Sequence, residues 1–257
     1  MIKRTVFTSV SLLGMSLVAY PIRSMLGMEW ADYYMDEDTP YTAQDYVQDG
    51  LGFHFDGIEN AGYGEHSSDY VVNLTGLRQE LLPLSDFVTI NEDGISAEYQ
   101  SSKWFRAETY REWGFRTNQT IEIVFKATNP SLSDIQFMVI DVGSRRVVGV
   151  QGSNIGIGLR QATNPSWYKP GTINSVSVTY TESNNTATDA FVNGRISPSR
   201  KSVNFAQPVS SGLVIGYGYN SGAFSGTIYA IRMYNRVLTP DEIAHNYEID
   251  KERFGLW

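Results

Sequence analysis

Apolar and polar residues alternate along much of the chain, and this pattern predicts a series of short β-strands. In residues 174–180, Val176, Val178 and Tyr180 fall on one face, while two serines and a threonine fall on the other. That period of two is typical of a half-buried strand. Similar runs, separated by turn-forming residues, occur at 51–58, 120–127, 135–142, 145–150, 154–159, 190–197, 212–219 and 226–234. About ten short strands without alternating helices predict an all-β antiparallel sandwich.

One tight turn can be assigned within this pattern. Asn193 and Gly194 stand between two strand-like runs. Both residue types tolerate positive φ, which a two-residue type I′ hairpin requires. We therefore expect a β-hairpin at this position.

A single helix is predicted after the last strand. Thr239 is a favourable N-cap, Pro240 suits the first helical position, and Glu242 lies three residues after the cap. Together they form a capping box. We expect the helix to end near residues 251–254 and to fold back over one sheet.

The inner face of this helix has two alternatives. One set is Ile243, Tyr247 and Ile249, and the other is Ile243, Asn246 and Asp250. The apolar set is favoured, because a surface helix usually turns its apolar stripe toward the core.

The first 48 residues differ from the rest and are interpreted as an N-terminal apolar arm followed by an acidic linker, with the domain at 49–257. Lys3 and Arg4 precede an apolar run at 5–20, which resembles a secretory signal in outline. The run is shorter than the roughly 20 apolar residues of a membrane span, and no clear cleavage site follows it. A cleaved signal peptide and a retained docking segment are both open, and the retained segment is favoured.

Composition excludes several classes of site. The chain has 257 residues, a formal net charge of −8 and no cysteine. Disulfides, zinc–thiolate sites and cysteine nucleophiles are thereby excluded. Without a long Lys/Arg run, nucleic acid is not an expected partner, because phosphate binding needs clustered cations.

The segment "GTIYAIRMYNRVLTPDEI" at 226–243 resembles the C-terminal signature of LamG-like jelly-roll domains, which belong to the concanavalin A-like lectin/glucanase superfamily. "DGLGFHFDG", "VSVTYTE", "AFVNGR" and "LVIGYGYNSGAFSG" resemble further blocks of that family in the same order. The resemblance covers about residues 49–254 and implies a jelly-roll sandwich. It also implies that Arg232 and Arg236 are structural positions rather than ligand contacts.

A narrower resemblance concerns both ends of the domain. "YVQDGLGFHFDGIENAGYGEHSSD" and "NYEIDKERFGL" are similar to LamG-like proteins of tailed phages and prophages of gut bacteria. This resemblance implies a virion component.

Catalytic chemistry is not expected. Some relatives in the superfamily cleave glucans with a Glu-x-Asp-x-x-Glu array on one strand, and no such array occurs here. Asp56, Glu122 and Asp141 are single in their runs and are expected to be solvent-exposed strand residues. The three histidines lie far apart, without metal-binding or nucleophile-activating spacing.

No cofactor is expected, but Ca²⁺ remains an open alternative. Related domains often hold Ca²⁺ through loop oxygens, and Asp56, Asn60, Asp141 and Asn154 are oxygen donors at strand ends or in loops. No dense calcium-binding loop is recognisable.

Sugar binding is the remaining chemistry, because the C–H faces of sugars stack on aromatic rings. Residues 164–171 place aromatic side chains in a turn-rich loop, and 216–224 place others beside glycines. Packing in the core is the alternative throughout; it is favoured for Trp104 and Trp113 and is equally weighted for Trp167. The candidate ligand-binding residues are Trp167, Tyr168, Tyr217 and Tyr219, with Phe224 beside them.

We therefore expect a non-catalytic binding or attachment module in a virion, docked to other virion subunits through its N-terminal arm and able to bind glycans. The alternatives are a capsid or tail decoration protein without glycan binding, a secreted or cell-surface bacterial glycan-binding protein, and an enzyme on the same scaffold. A homo-oligomer is compatible with each, and no membrane span is expected.

Overall fold

The computed structural model describes residues 40–61, 70–71, 73–75, 82–83, 88–91, 94–97, 105–107, 118–128, 136–141, 146–151, 154–157, 162–163, 165–181, 186–197, 213–215 and 224–256. They belong to a compact unit that spans Pro40–Trp257. Residues 1–39 of the predicted arm and linker, together with Trp104 and Trp113, lie outside the described residues. The domain begins at Pro40 rather than at residue 49, because the last part of the predicted linker packs against it.

The described residues form short strands along most of the domain, with a helix after the first strand and another after the last. In chain order the elements are β1 (Leu51–Asp56), α1 (Gly57–Ala61), β2 (Tyr70–Val71), β3 (Leu82–Pro83), β4 (Val88–Asn91), β5 (Gly94–Ala97), β6 (Phe105–Ala107), β7 (Gln119–Ala127), β8 (Gln136–Asp141), β9 (Arg146–Gln151), β10 (Asn154–Ile157), β11 (Ala162–Thr163), β12 (Asn174–Thr181), β13 (Thr186–Val192), β14 (Arg195–Ile196), β15 (Leu213–Ile215), β16 (Gly226–Tyr234) and α2 (Pro240–Phe254).

Two antiparallel sheets form the sandwich. Within the described residues, the larger sheet has eight strands in the order β14-β13-β12-β7-β16-β5-β4, and β1 also pairs with β16. The smaller has six strands in the order β11-β10-β9-β8-β15-β6, and β2 pairs with β3 separately. The predicted antiparallel all-β sandwich with one C-terminal helix is confirmed.

Strand β16 lies in the middle of the larger sheet and has the bounds that the alternation predicts. It pairs along its length with β7. On its other side, its first residues pair with β5 and its last residues pair with β1. The last strand in the sequence, β16, therefore pairs with the first strand, β1.

The main core lies between the two sheets. The larger sheet contributes Phe53, Phe55, Ile121, Ile123 and Phe125, all with no exposed area. The smaller sheet contributes buried residues of β9 and β10, which are Val148, Val150 and Ile155.

The predicted capping box of α2 and the predicted turn of the hairpin are both confirmed. The backbone N–H of Glu242 donates to Thr239 Oγ1, and the N–H of Thr239 donates to a Glu242 carboxylate oxygen at 2.8 Å. Gly255, at φ +66°, ends the helix. Asn193 and Gly194 have φ values of +49° and +70°, as a type I′ turn requires.

Helix α2 covers the outer face of the larger sheet and creates a second buried layer. Ile243 packs with Leu51 and Tyr234, and Phe254 packs with Val124 and Ala230. The larger sheet is therefore buried on both faces. No helix among the described residues is long and apolar enough to cross a membrane.

The favoured prediction for the residues on the inner face of α2 is wrong in part. Its buried residues are Ile243, Asn246, Ile249, Asp250 and Phe254. Tyr247 is only half-buried and lies against Gly194, where an added Cβ would come within 2.5 Å of its ring. The polar residues are buried because the sheet presents hydrogen-bonding groups to them.

Residues 41–48, which we call the strap, hold the N-terminal edge of the domain against α2. The Val47 N–H donates to Asn246 Oδ1 at 3.0 Å, and Arg253 Nη1 donates to the carbonyl of Tyr41. Tyr46 is 2% exposed. The strap is thus an integral part of the fold and not a connector.

Candidate functional site

A group of buried charged residues lies between the larger sheet and α2. Arg232 of β16 donates from Nε to Glu122 Oε2 at 2.9 Å. Its two terminal nitrogens donate to the two carboxylate oxygens of Asp250 at 2.8 and 2.7 Å. All three side chains are at most 1% exposed. We use the name Arg232 cluster for these three residues and the side chains that donate to the two carboxylates, which are Tyr46, Ser175, Ser177 and Asn246.

Glu122 of β7 has no free carboxylate oxygen in this cluster. Ser177 Oγ donates to Oε1 at 3.0 Å, and Asn246 Nδ2 donates to Oε2 at 2.8 Å beside the bond from Arg232. Burial raises the pKa of Glu122, and the neighbouring Arg232 opposes that rise.

Both carboxylate oxygens of Asp250 in α2 also accept hydrogen bonds. Tyr46 Oη of the strap donates to Oδ1 at 3.0 Å, and Ser175 Oγ of β12 donates to Oδ2 at 3.0 Å. The guanidinium of Arg232 also lies 4.0 Å from the centre of the Tyr46 ring, a cation–π geometry. The cluster therefore joins strap, sheet and helix.

A second buried ion pair lies at the end of β1. Asp56 Oδ1 accepts the N–H groups of Ile58 and Glu59, each at 3.1 Å, which ends the strand and begins α1. Its Oδ2 accepts from Arg253 of α2 at 2.8 Å. Burial raises the pKa of Asp56, and the pair with Arg253 opposes the rise.

The expectation that Asp56 and Glu122 are solvent-exposed is therefore wrong. Their exposed fractions are 0% and 1%, because α2 covers a sheet face that the alternation assigns to solvent. The side chain of Asp141 lies outside the described residues.

Asp56 is one of the residues weighed for Ca²⁺, and the side chains of two others, Asn60 and Asp141, lie outside the described residues. Both oxygens of Asp56 are engaged, and a guanidinium lies within hydrogen-bonding distance, so this carboxylate does not suit a cation. Within the described parts of the chain, no three His, Cys, Asp or Glu side chains are grouped as metal ligands.

His54 lies beside the Arg232 cluster rather than in a reactive site. It pairs with Arg232 in the β1–β16 register, and its ring meets the Tyr46 ring edge-on with centroids 5.3 Å apart. Burial lowers its pKa well below the usual range, and the two nearby arginines act in the same direction. It is therefore neutral at physiological pH.

The aromatic loop predicted to bind sugar is a turn-rich segment at one end of the sandwich, between β11 and β12. The Tyr168 N–H donates to the carbonyl of Pro165 at 3.0 Å. Asn174 Nδ2 donates to the Lys169 carbonyl, and Asn193 Nδ2 donates to the Trp167 carbonyl. Two buried or half-buried asparagines thus fix this loop to the β13–β14 hairpin.

The predicted aromatic residues have different positions. Tyr168 is 5% exposed, with its ring centroid 6.4 Å from that of Phe125 in the core, and burial raises its pKa to about 12. Phe224 has no exposed area. Neither ring presents a face to solvent, because each fills the space between the sheets.

Trp167 is half-buried against the core and keeps part of its surface exposed. Its indole Nε1 is buried and has no hydrogen-bond partner within the described part of the chain. Tyr217 and Tyr219 lie outside the described residues. Trp167 is thus the predicted aromatic that remains accessible among those described.

Sequence reasoning did not identify Tyr46 as a member of the Arg232 cluster. The available signal was the pair of polar residues, Asn246 and Asp250, at inner positions of an otherwise amphipathic helix. The partner on the strap, 204 residues away from Asp250, has no local signature.

Comparison with known proteins agrees with this fold. Residues 86–244, more than half of the chain, match the family model Laminin_G_3, described as the concanavalin A-like lectin/glucanases superfamily. No curated protein matches the sequence.

Solved structures show the same architecture at low identity. The binding domain of botulinum neurotoxin serotype D is similar with a TM-score of 0.59 and 14% identity, over 79% of this chain and 52% of that one. The receptor-binding domain of the botulinum neurotoxin C/D mosaic serotype gives 0.57 and 13%, over 79% and 52%. Trypanosoma rangeli sialidase gives 0.55 and 14%, over 79% and 33%. The chain spans about half of the toxin domains and about a third of the sialidase.

The match over residues 86–244 and the two-sheet sandwich closed by α2 lead to one assignment. The chain belongs to the concanavalin A-like lectin/glucanases superfamily.

Proposed function

We propose that the protein is a non-catalytic module that recognises glycans. The observation that carries this proposal is the contrast between its carboxylates and its loop aromatic. Glu122 and Asp56 are buried in arginine pairs under α2, whereas Trp167 keeps exposed surface at the end of the sandwich.

Cleavage of a glycosidic bond requires two carboxyl groups that flank the substrate, about 5–5.5 Å apart in retaining enzymes. Glu122 and Asp250 are close together through Arg232, but all four of their oxygens accept hydrogen bonds. α2 and the strap separate them from solvent. This pair supports the fold and is not accessible to a sugar.

The superfamily and the named neighbours support glycan recognition. The toxin domains are described as binding or receptor-binding domains, and one sialidase structure is of a complex with sialic acid. Those descriptions apply to those proteins. For this chain they favour a binding role for the same sandwich.

A glycan array probed with the full chain tests this role. We expect a defined set of glycans to bind, and Trp167→Ala to weaken binding by about tenfold, the effect of losing one stacked aromatic ring. Trp167→Phe is the matched control, because it keeps a ring and much of the packing. Urea unfolding of both variants checks that the fold is retained. Failure of the intact protein to bind any glycan would contradict the proposal, and release of reducing ends from a bound polysaccharide would contradict a non-catalytic role.

We also propose that residues 1–39 attach this module to a phage particle, so that its location is the virion. Support comes from the apolar N-terminal run and from the similarity to LamG-like phage proteins. Because the strap belongs to the domain, the deletion that tests attachment should end at residue 39. We expect particles that encode 40–257 to lose the protein while the free domain stays folded. Normal incorporation of the shortened protein would contradict attachment through this arm.

A further inference from the structure

The exposed cations of the described residues lie at the loop end of the sandwich. Seven Lys or Arg side chains are described, and Arg232, Arg236 and Arg253 pair with carboxylates at or beside α2. The remaining four are exposed: Lys126, Lys169, Arg195 and Lys251. We call them the loop-end cations.

Two of these cations, Lys126 and Lys169, lie near the start of β12. Phe125 pairs with Asn174, so Lys126 comes next to the residue that precedes Asn174. The Lys169 N–H donates to Asn174 Oδ1 at 3.3 Å, and its carbonyl accepts from Asn174 Nδ2 at 3.0 Å. One asparagine thus fixes the backbone of Lys169 close to the strand that carries Lys126.

The other two cations are brought there by the hairpin and by α2. Arg195 follows the Asn193-Gly194 turn, whose Asn193 amide donates to the Trp167 carbonyl at 3.2 Å. Lys251 lies one helical turn after Tyr247, and the Tyr247 ring packs directly against Gly194. The hairpin turn therefore connects the aromatic loop with this flank of the helix.

Three of the four loop-end cations have no ion-pair partner among the described residues. Lys251 pairs with Glu248 at 3.0 Å, but no described carboxylate pairs with Lys126, Lys169 or Arg195. The whole chain has a net charge of −8, so a local group of cations is contrary to its average composition. Such a group attracts anions.

The group has the width of an extended ligand. Arg195 is on β14 and Lys126 on β7, three strand positions apart in the sheet, which corresponds to about 14 Å at the usual strand spacing. Two half-buried aromatic residues, Trp167 and Tyr247, both contact the Asn193-Gly194 turn beside β14, Trp167 through its backbone carbonyl and Tyr247 through its ring. Aromatic rings beside cations suit a sugar that carries an acidic group, since the ring packs on the C–H face and the cation meets the charge.

We propose that the loop end binds an acidic glycan, with its carboxylate or sulfate groups at Lys126, Lys169 and Arg195 and its sugar faces on Trp167 and Tyr247. The inference rests on the proposed glycan-binding function and specifies its ligand class.

The test uses an array of oligosaccharide pairs, each in a form with a uronic acid, sialic acid or sulfate and in the matching neutral form. We expect the acidic member to bind at least about tenfold more tightly, with the difference decreasing as NaCl rises from about 50 to about 300 mM. Equal binding of both members would overturn the inference and leave glycan recognition intact. Binding of neither member across the array would overturn both.

Charge variants then locate the site. Lys169→Gln with Arg195→Gln should weaken acidic binding by about tenfold, the effect of losing two exposed ion pairs. Gln44→Glu with Ala244→Glu is the control, because it changes the net charge equally at exposed positions on the strap and on the outer side of α2. A matching loss in the control pair would overturn the assignment to the loop end. Poly-L-glutamate binding as tightly as the best acidic glycan would show a surface for acidic protein instead.

Discussion

At the scale of single residues, Arg232 decides whether the layer under α2 is stable. It neutralises two carboxylates that have almost no contact with solvent. Removing one partner of a buried pair leaves uncompensated charge, which costs more than the pair itself contributes. The cluster is thus far more sensitive to loss of its arginine than its net contribution to stability implies.

Arg232→Met should therefore lower the free energy of unfolding by about 3–5 kcal/mol, measured by urea denaturation. Arg236→Met is the matched control, because its pair with Glu242 is at the surface, with 27% and 29% of the side chains exposed. We expect that variant to lose no more than about 1 kcal/mol. Equal losses in the two variants would show that Arg232 is not specially required.

Glu242 gives the capping box a pH dependence. The hydrogen bond from Arg236 is the main cause that lowers its pKa from 4.5 to about 2, with further bonds from Thr239. Because the pKa of the folded state is below that of the unfolded state, its contribution is fully present above pH 4.5 and is lost as the pH falls toward 2.

The urea midpoint should consequently fall less steeply in Glu242→Gln than in the native protein between about pH 5 and pH 3. Glu252→Gln, an exposed position of the same helix, is the control. Burial raises the pKa of Glu122, so ionisation of Glu122 changes the stability with pH in the opposite direction to that of Glu242. Glu122 is present in both proteins, so the difference between native protein and Glu242→Gln isolates the contribution of Glu242. If the urea midpoints of native protein and Glu242→Gln change in parallel with pH, the capping box is not the source of the pH dependence.

At the scale of elements, close packing between hairpin and helix is set by one glycine. Gly194 is at φ +70°, and an added Cβ would lie 2.5 Å from the Tyr247 ring. Gly171 has φ +78° but nothing within 4 Å of an added Cβ. Both glycines have a left-handed backbone conformation, but only Gly194 has a side chain packed against it.

Gly171→Ala should cost about 1–2 kcal/mol, the penalty of the left-handed conformation. Gly194→Ala should cost more, because the ring must also move. Thermal and urea unfolding measure both, and Tyr247→Ala in the Gly194→Ala background should recover the difference. Equal costs at the two glycines would show that the hairpin does not press on α2.

Sequence predicted these elements where the signal is local. The ends of α2 and the Asn193-Gly194 turn follow from caps and backbone preferences of adjacent residues. The inner face of α2 could not be assigned in the same way, because Asn246 and Asp250 are buried only once Glu122, Arg232 and Tyr46 arrive from distant parts of the chain. The candidate site shows the same limit, since Tyr168 and Trp167 are neighbours in sequence but only one is accessible.

At the scale of the whole molecule, the strap fixes where the domain begins. Tyr46 contributes its ring to Arg232 and its hydroxyl to Asp250. The sequence places residues 41–48 in an acidic linker because the segment before the first strand is acidic and aromatic and contains a proline. Their packing depends on long-range polar contacts that composition does not reveal.

A chain of residues 40–257 should fold cooperatively, whereas 49–257 should be less stable by at least about 3–5 kcal/mol, the usual effect of removing a large buried aromatic side chain. Urea denaturation followed by tryptophan fluorescence measures both. Tyr46→Ala in 40–257 is the control that isolates the ring from the rest of the strap. Equal stability of the two truncations would mean that the strap contributes nothing to the fold.

The central place of β16 has a consequence for synthesis on the ribosome. This strand holds β7, β5 and β1 together, yet it is made after every other strand that the structure describes, and α2 follows it. The β1–β16 pairing also joins segments about as far apart as the domain allows, and non-local pairing slows folding. The larger sheet can therefore close only after residues 226–234 have been made, and an early stop codon anywhere before β16 would release an unpaired, aggregation-prone product.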